Sequence, residues 1–403
     1  MKTVFFISRR LSARSGLATL SVATSIVVML LGLMISNGFR HEIQDSVFSS
    51  WGNMAVMSPY MDLMSEKHFV KAGQGQLDCI RASSKGIEDV SAVIYRAGVL
   101  KSQEGVSGVM FKGVDSLYDF APLEGRLCEG EFPDYSAEGI STEALIPYRI
   151  AKESGLGTGD SFMAYFIGDE VKARRFRITG IYRSLSGEDG SFIFADIGNL
   201  RRLNAWEPDA VSAIEIFLKK GADEEEAFNA VSQAIYECYD TEDPSAIVYA
   251  TRNRFPSVFD WLGLLDFNLY AILLLMFVVS GFNMVSGLLI ILFENISTIG
   301  ILKTMGMRNA SIAKTFVAKA SSIVLKGMLA GNAVALALAA IQNGTGIIRL
   351  NPENYIVETM PVAFSWGGIL LLDAIAYIAI MAVLLIPCMF ISRVDAAKSV
   401  KML

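Results

Sequence analysis

Hydrophobic and polar positions are segregated along this chain. Uncharged runs occupy 15–39, 267–293, 327–348 and 374–392, and no comparable run interrupts 39–266. An α-helix rises about 1.5 Å per residue and the hydrocarbon core of a bilayer is about 30 Å thick, so the run between Asp266 and Glu294 is long enough to cross it. The pattern predicts four transmembrane helices, at 17–38, 266–293, 318–342 and 366–391.

Residues 39–265 carry a different pattern. Alternating segments at Ala92–Tyr95, Gly108–Lys112, Ser161–Phe166, Arg175–Tyr182, Ser191–Ala195 and Ala213–Leu218 predict strands. Periodic segments at 141–154, 196–204 and 223–238 predict helices. The last opens with Asp223, Glu224, Glu225 and Glu226, where the positive end of a helix dipole favours acids. Gly155, Gly157 and Gly159 mark a turn, as does Gly187-Glu188-Asp189-Gly190. No internal repeat or low-complexity tract is visible. The expected fold class is an α-helical membrane protein with four transmembrane helices and a large α/β domain, of α+β type, inserted between helices 1 and 2.

Charge orients these elements. Lys2, Arg9, Arg10 and Arg14 precede the first span, Lys303, Arg308, Lys314 and Lys319 lie between the second and third, and Arg393, Lys398 and Lys401 follow the fourth. The positive-inside rule puts 1–16, 294–317 and 392–403 in the cytoplasm, leaving 39–265 and the 343–365 loop outside. Residues 39–265 hold 22 Lys and Arg against 35 Asp and Glu, a net of −13, while the whole chain carries only −6. The first span has the basic start and apolar core of a signal peptide, but its apolar stretch is long and Ser36-Asn37-Gly38-Phe39-Arg40 is a poor cleavage site, so an uncleaved anchor is expected. Cys388 falls in the fourth span. Cys79, Cys128 and Cys238 remain outside, so at most one disulfide can form within the domain.

Catalytic constellations are missing. No Gly-x-x-x-x-Gly-Lys-Ser/Thr phosphate loop occurs, so nucleotide hydrolysis by this chain is not expected. His41 and His68 have no partners at metal-ligand spacing. Gly105-Val106-Ser107-Gly108 approaches a nucleophile elbow but reads as a turn before a strand. No catalytic or metal residue is assigned, and nothing points to nucleic acid.

The junction after the second span is more informative. From Glu294 the chain continues Asn295-Ile296-Ser297-Thr298-Ile299-Gly300-Ile301-Leu302-Lys303-Thr304-Met305-Gly306-Met307. Ile296, Ile299 and Leu302 share one helical face, and Gly300 and Gly306 allow close approach or a helix end. Spacing alone fits two readings, a helix that docks a partner and an amphipathic linker lying on lipid. Within the spans, Gly327-Met328-Leu329-Ala330-Gly331 is a Gly-x-x-x-Gly step, expected to pack helices inside the chain. Lys326 and Asp373 are the charges nearest membrane depth. Measured from the cytoplasmic side they sit at about 12 Å and about 27 Å, at 1.5 Å per residue, so snorkelling to opposite surfaces is expected instead of an ion pair.

Phe282-Asn283-Met284-Val285-Ser286, then Glu294, then Ile299-Gly300-Ile301-Leu302-Lys303-Thr304-Met305-Gly306 resemble, in order and spacing, the end of span two and the coupling helix of the lipoprotein-releasing ABC transporter permeases of LolC and LolE type, within the wider MacB and FtsX-like group. Ser36-Asn37-Gly38-Phe39, Lys112-Gly113-Val114-Asp115, Gly159-Asp160 and Val171–Ile181 extend the resemblance, which covers nearly the whole chain. The tail Asp395-Ala396-Ala397-Lys398-Ser399-Val400 resembles the family's end without its usual proline and arginine.

The resemblance implies a MacB-like core for 39–265 and an FtsX-like permease domain for 266–403. It implies a bacterial inner-membrane location, with Asn283, Gly327 and Gly331 as helix-packing positions. Glu294, Ile296, Ile299, Gly300, Ile301, Leu302, Lys303, Thr304, Met305 and Gly306 would couple to cytoplasmic ABC ATPase subunits, which bind the ATP and Mg while this chain binds no cofactor. Further implied partners are a second permease chain, identical or paralogous, membrane lipid, lipoprotein cargo and a periplasmic carrier. Such permeases work by mechanotransmission, relaying ATPase movement through the spans to the periplasmic side. Phe166 to Arg175 is short where LolC-type members extend a carrier-recruiting hairpin, and so resembles the LolE type or a divergent transporter with another cargo. Arg174, Arg175 and Arg177 form a basic strand edge, read by default as a solvated face, with a contact for an acidic partner as the alternative. A MacB-type efflux permease and an FtsX-like regulator of a cell-wall hydrolase are the alternatives.

Overall fold

A computed structural model describes residues 16–63, 67–102, 105–136, 139–168, 170–184, 191–239, 246–350 and 359–388. They form two compact units, one of residues 43–259 and one built from the chain before and after it.

The helical unit contains α1 (Gly16–Trp51) up to residue 42, its last turns from residue 43 belonging to the second unit, α7 (Pro256–Glu294) from residue 260, α8 (Ile296–Thr304), α9 (Asn309–Thr345) and α10 (Trp366–Cys388). Among the described residues, four of these helices, all but α8, are long and apolar enough to cross a membrane. α1 continues beyond residue 38 and α9 begins before 318, because a helix persists as long as its hydrogen bonds do, whereas the apolar run marks only the part suited to lipid. Val22, Ile26, Met29, Leu30 and Met34, on one stripe of α1, are buried with Met284, Leu288 and Ile291 of α7, Phe316, Ile323 and Val324 of α9, and Leu372, Ala376 and Ile380 of α10. α1 is thus shared by the other three long helices.

The second unit is built on a ten-stranded mixed sheet in the order β12-β1-β11-β3-β4-β9-β6-β8-β5, with β7 pairing β3 and β8. In chain order its strands are β1 (Met54–Met57), β3 (Ile87–Lys101), β4 (Val106–Val114), β5 (Leu127–Gly130), β6 (Glu143–Pro147), β7 (Ser161–Phe166), β8 (Lys172–Tyr182), β9 (Phe192–Asp196), β11 (Ala213–Leu218) and β12 (Ile247–Ala250). A small pair, β2 (Val70–Lys71) and β10 (Ala210–Val211), lies apart. Helices α2 (Gln74–Ser83), α3 (Tyr148–Ser154), α4 (Ile197–Asn204), α5 (Glu224–Cys238) and α6 (Thr251–Arg254) complete it. Asp223 caps α5 as its acids suggest, accepting from the Glu225 and Glu226 amides at 2.9 and 3.1 Å. Cys79 of α2 is disulfide-bonded to Cys238 at the end of α5, and Cys128 is free and exposed.

The expected helix at 141–154 is in fact a strand followed by a helix. Ala144, Leu145 and Ile146 are fully buried in β6, which runs parallel to β8 and antiparallel to β9, and Pro147 then opens α3. A short apolar run buried on both faces has no period to distinguish strand from helix. The turn expected at Gly187–Gly190 lies outside the described residues.

Candidate functional site

The Glu294–Met307 junction forms a short helix with a defined end. Asn295 separates α7 from α8 and is itself buried, its Nδ2 donating to the Ile291 carbonyl at 2.8 Å. α8 stops at Gly306, whose φ of +83° suits glycine. There the Gly306 amide donates to the Lys303 carbonyl and the Met307 amide to the Leu302 carbonyl, both at 3.0 Å, the reciprocal pair of a Schellman ending.

The apolar stripe of α8 faces inward. Ile299 is 0% exposed, Gly300 is buried, Ile296 is half-buried, and the half-buried Leu302 packs on the same core. Ile301 and Met305, four positions apart, are 47% and 78% exposed; Thr304 and Glu294 are also exposed, and Lys303 is half-buried. The stripe that marks the helix in sequence therefore attaches α8 to its own bundle, and the outward surface is the Ile301, Thr304 and Met305 side. An i, i+4 apolar pair outside the main stripe is the sequence signal for it.

The packing positions surround α1. Asn283 donates to the Ser21 hydroxyl at 2.7 Å. A Cβ added at Gly327 would stand 2.8 Å from the Val22 Cβ, and one at Gly331 would stand 2.7 Å from the Ala23 carbonyl oxygen, so the Gly-x-x-x-Gly step lets α9 approach α1 within this chain. Gly38, in the Ser36–Phe39 segment, lies against the Pro361 backbone, and its neighbour Arg40 is ion-paired with Asp266. Asp373 accepts from Asn332 Nδ2 at 2.8 Å and Ser321 shares a 2.8 Å hydrogen bond with Tyr377, both between α9 and α10. The partner of Asp373 is an amide, and Lys326 is exposed.

In the second unit β7 and β8 pair from Ser161↔Arg177 to Phe166↔Lys172. Arg177 is ion-paired with Glu143 at 2.7 Å, Arg175 is exposed and Arg174 is half-buried. Among the described residues no group of three or more His, Cys, Asp or Glu is placed to hold a metal.

Long apolar helices, a capped surface helix between two of them and a disulfide-bonded α/β unit define a multi-pass membrane protein. The MacB-like periplasmic core domain family matches residues 15–234, and the FtsX-like permease C-terminal family matches 270–396. The chain belongs to the MacB-like periplasmic core domain family and carries an FtsX-like permease C-terminal domain: it is an ABC transporter permease of the LolC, LolE, MacB and FtsX type, with a periplasmic domain. The lipoprotein-releasing system transmembrane protein LolE of Haemophilus influenzae is 21% identical over 400 residues, covering 92% of each chain. LolC of Neisseria meningitidis serogroup B is 22% identical over 408 residues, covering 94% of this chain and 92% of that one. Among solved structures, the periplasmic region of MacB from Actinobacillus actinomycetemcomitans has a TM-score of 0.36 at 11% identity, covering 52% of this chain and 95% of that one. The extracellular domain of the ABC-type transporter YknZ from Gram-positive bacteria has a TM-score of 0.33 at 11% identity, covering 46% and 94%.

Proposed function

We propose that this chain is the permease subunit of a bacterial inner-membrane ABC transporter that releases lipoproteins toward the outer membrane by mechanotransmission. The observation that carries the reading is α8, a surface helix anchored through Ile299 that leaves Ile301 and Met305 outside, between two helices long enough to span. The positive-inside pattern assigns this helix to the cytoplasm, where separate ATPase subunits would dock and bind the ATP and Mg. Residues 39–265 would stand in the periplasm between the first two spans. The Cys79–Cys238 disulfide supports that side, because such bonds persist in oxidising compartments. A second permease chain, a lipoprotein and a periplasmic carrier complete the assembly, and the short β7–β8 tip favours the LolE-type role.

Depletion tests the cargo. Mature lipoproteins accumulating in the inner membrane are expected; drug or toxin sensitivity without accumulation would point to MacB-type efflux, and unseparated cells to an FtsX-like regulator. The docking surface is tested by Ile301→Asp combined with Met305→Asp. The folded permease should lose co-purifying ATPase, and retention of both ATPase and stimulated turnover would refute the assignment.

A further inference from the structure

The segment Lys112-Gly113-Val114-Asp115 ends β4, and its lysine is buried without reaching solvent. Lys112 and Glu215 are both 0% exposed and ion-paired at 2.8 Å. The ammonium also donates to the Tyr118 hydroxyl at 3.0 Å and to the backbone carbonyl of Ser50 at 2.8 Å, so three oxygens surround its three N–H groups. Tyr95 donates its hydroxyl to the other oxygen of Glu215. The rings of Tyr118, Phe192 and Phe194 lie 5.0, 5.5 and 5.7 Å from the ammonium. Burial lowers the pKa of Lys112 while Glu215 opposes the shift, and burial raises those of Tyr95 and Tyr118 well above the usual phenol range.

Ser50 lies in the last turn of α1, where carbonyls have no helical partner and a positive charge is favoured. The next residue, Trp51, sits among Tyr95, Phe192 and Phe255 at ring distances of 4.9, 4.7 and 5.1 Å, with the Arg254 guanidinium 4.6 Å from its ring. The chain leaving the sheet returns to the same place. Thr251 Oγ1 donates to the Gly52 carbonyl at 2.8 Å, and the Thr251 amide to the Asn53 carbonyl at 3.0 Å.

A buried ion pair is poor value as a source of stability, since apolar side chains of like volume usually serve as well or better. Its distinctive property is position: the buried ammonium of Lys112 has all three N–H groups satisfied only when the Ser50 carbonyl is in place. We propose that Lys112 is a positioning residue that latches the end of α1 to the sheet, so that movement of α1 is delivered to the periplasmic domain. Glu215 and Tyr95 hold the charge of the latch. The proposal rests on the mechanotransmission reading above.

The test uses the full permease with its ATPase and second chain in nanodiscs, carrying Cys388→Ser and a fluorescent probe on the exposed Cys128. Lys112→Met, and the charge-free double variant Lys112→Met with Glu215→Met, should keep ATP turnover within about twofold while the ATP-driven probe signal falls about tenfold, a span typical of coupling between sites. An undiminished signal in a folded variant overturns the latch. ATP turnover with no probe signal in the unsubstituted assembly overturns the mechanotransmission reading and the latch with it. Hydrogen exchange on the unsubstituted protein supplies a measurement that needs no variant: the Gly52 to Met54 amides should open together with those of β11. Opening of the end of α1 ahead of β11 overturns the proposal.

Discussion

Gly331 shows how much a single methyl group decides in a lipid-facing bundle. An added Cβ would press on the Ala23 carbonyl and on Ile26, whereas at Gly344, on the same helix, it would meet nothing within 4 Å. Gly331→Ala should therefore cost about 1–3 kcal/mol of bundle stability, as overpacking does. Gly344→Ala should be neutral or slightly stabilising, and thermal unfolding in mild detergent compares them. An unchanged melting temperature accompanied by loss of cross-linking between two copies would instead make Gly331 a contact between chains. The glycine step is legible in sequence, but its partner is not, because Ala23 and Ile26 contribute backbone and surface shape with no motif. Asp373 repeats the lesson: depth arithmetic argues against Lys326, yet only the fold identifies Asn332.

Buried phenols give the periplasmic domain an alkaline limit. Burial raises the pKa of Tyr95, Tyr118, Tyr135 and Tyr182 above the ordinary value. The folded state therefore holds protons that the unfolded chain releases from about pH 10, so the tyrosine contribution is complete below that pH and is lost as pH rises beyond it. Lys112 has the opposite sign, since its lowered pKa makes stability rise with pH up to the unfolded lysine value, but it is one group against four. Tyrosinate absorbance should appear for these four only together with loss of structure. Their titration within the folded protein near the ordinary phenol value would contradict this.

At the scale of elements, legibility followed the amount of periodic sequence. β7 and β11 have the bounds that alternation predicts, and α5 begins at the acidic run. The run that forms β6 has no period to separate strand from helix, and β1, β12 and α2 are short segments with little alternation or helical periodicity. For α8 the sequence identified the helix and its apolar stripe but not the neighbour of that stripe, so the exposed side emerged only with the bundle. The same limit applies to cysteine: three candidates allow several pairings, and the packing of α2 on α5 selects Cys79 with Cys238. This bond spans 159 residues of sequence. Its reduction, or Cys238→Ser, should lower the stability of the periplasmic domain by about 2–4 kcal/mol, seen as a lower urea midpoint without change in the membrane-embedded part.

For the molecule as a whole, segregation of apolar and charged sequence forecast both kinds of structure present here. What it could not forecast is that β1 and β12, at the two ends of the sheet-bearing unit, are neighbours, pairing from Met54↔Ala250 to Met57↔Ile247. The two ends of an excursion of roughly two hundred residues are thereby held one strand spacing apart, about 4.8 Å. Anything inserted between those strands leaves their spacing untouched. The unit is in that respect an interchangeable cassette. Loops and helices between those strands can lengthen, shorten or be rebuilt while the strands that open and close the unit stay paired.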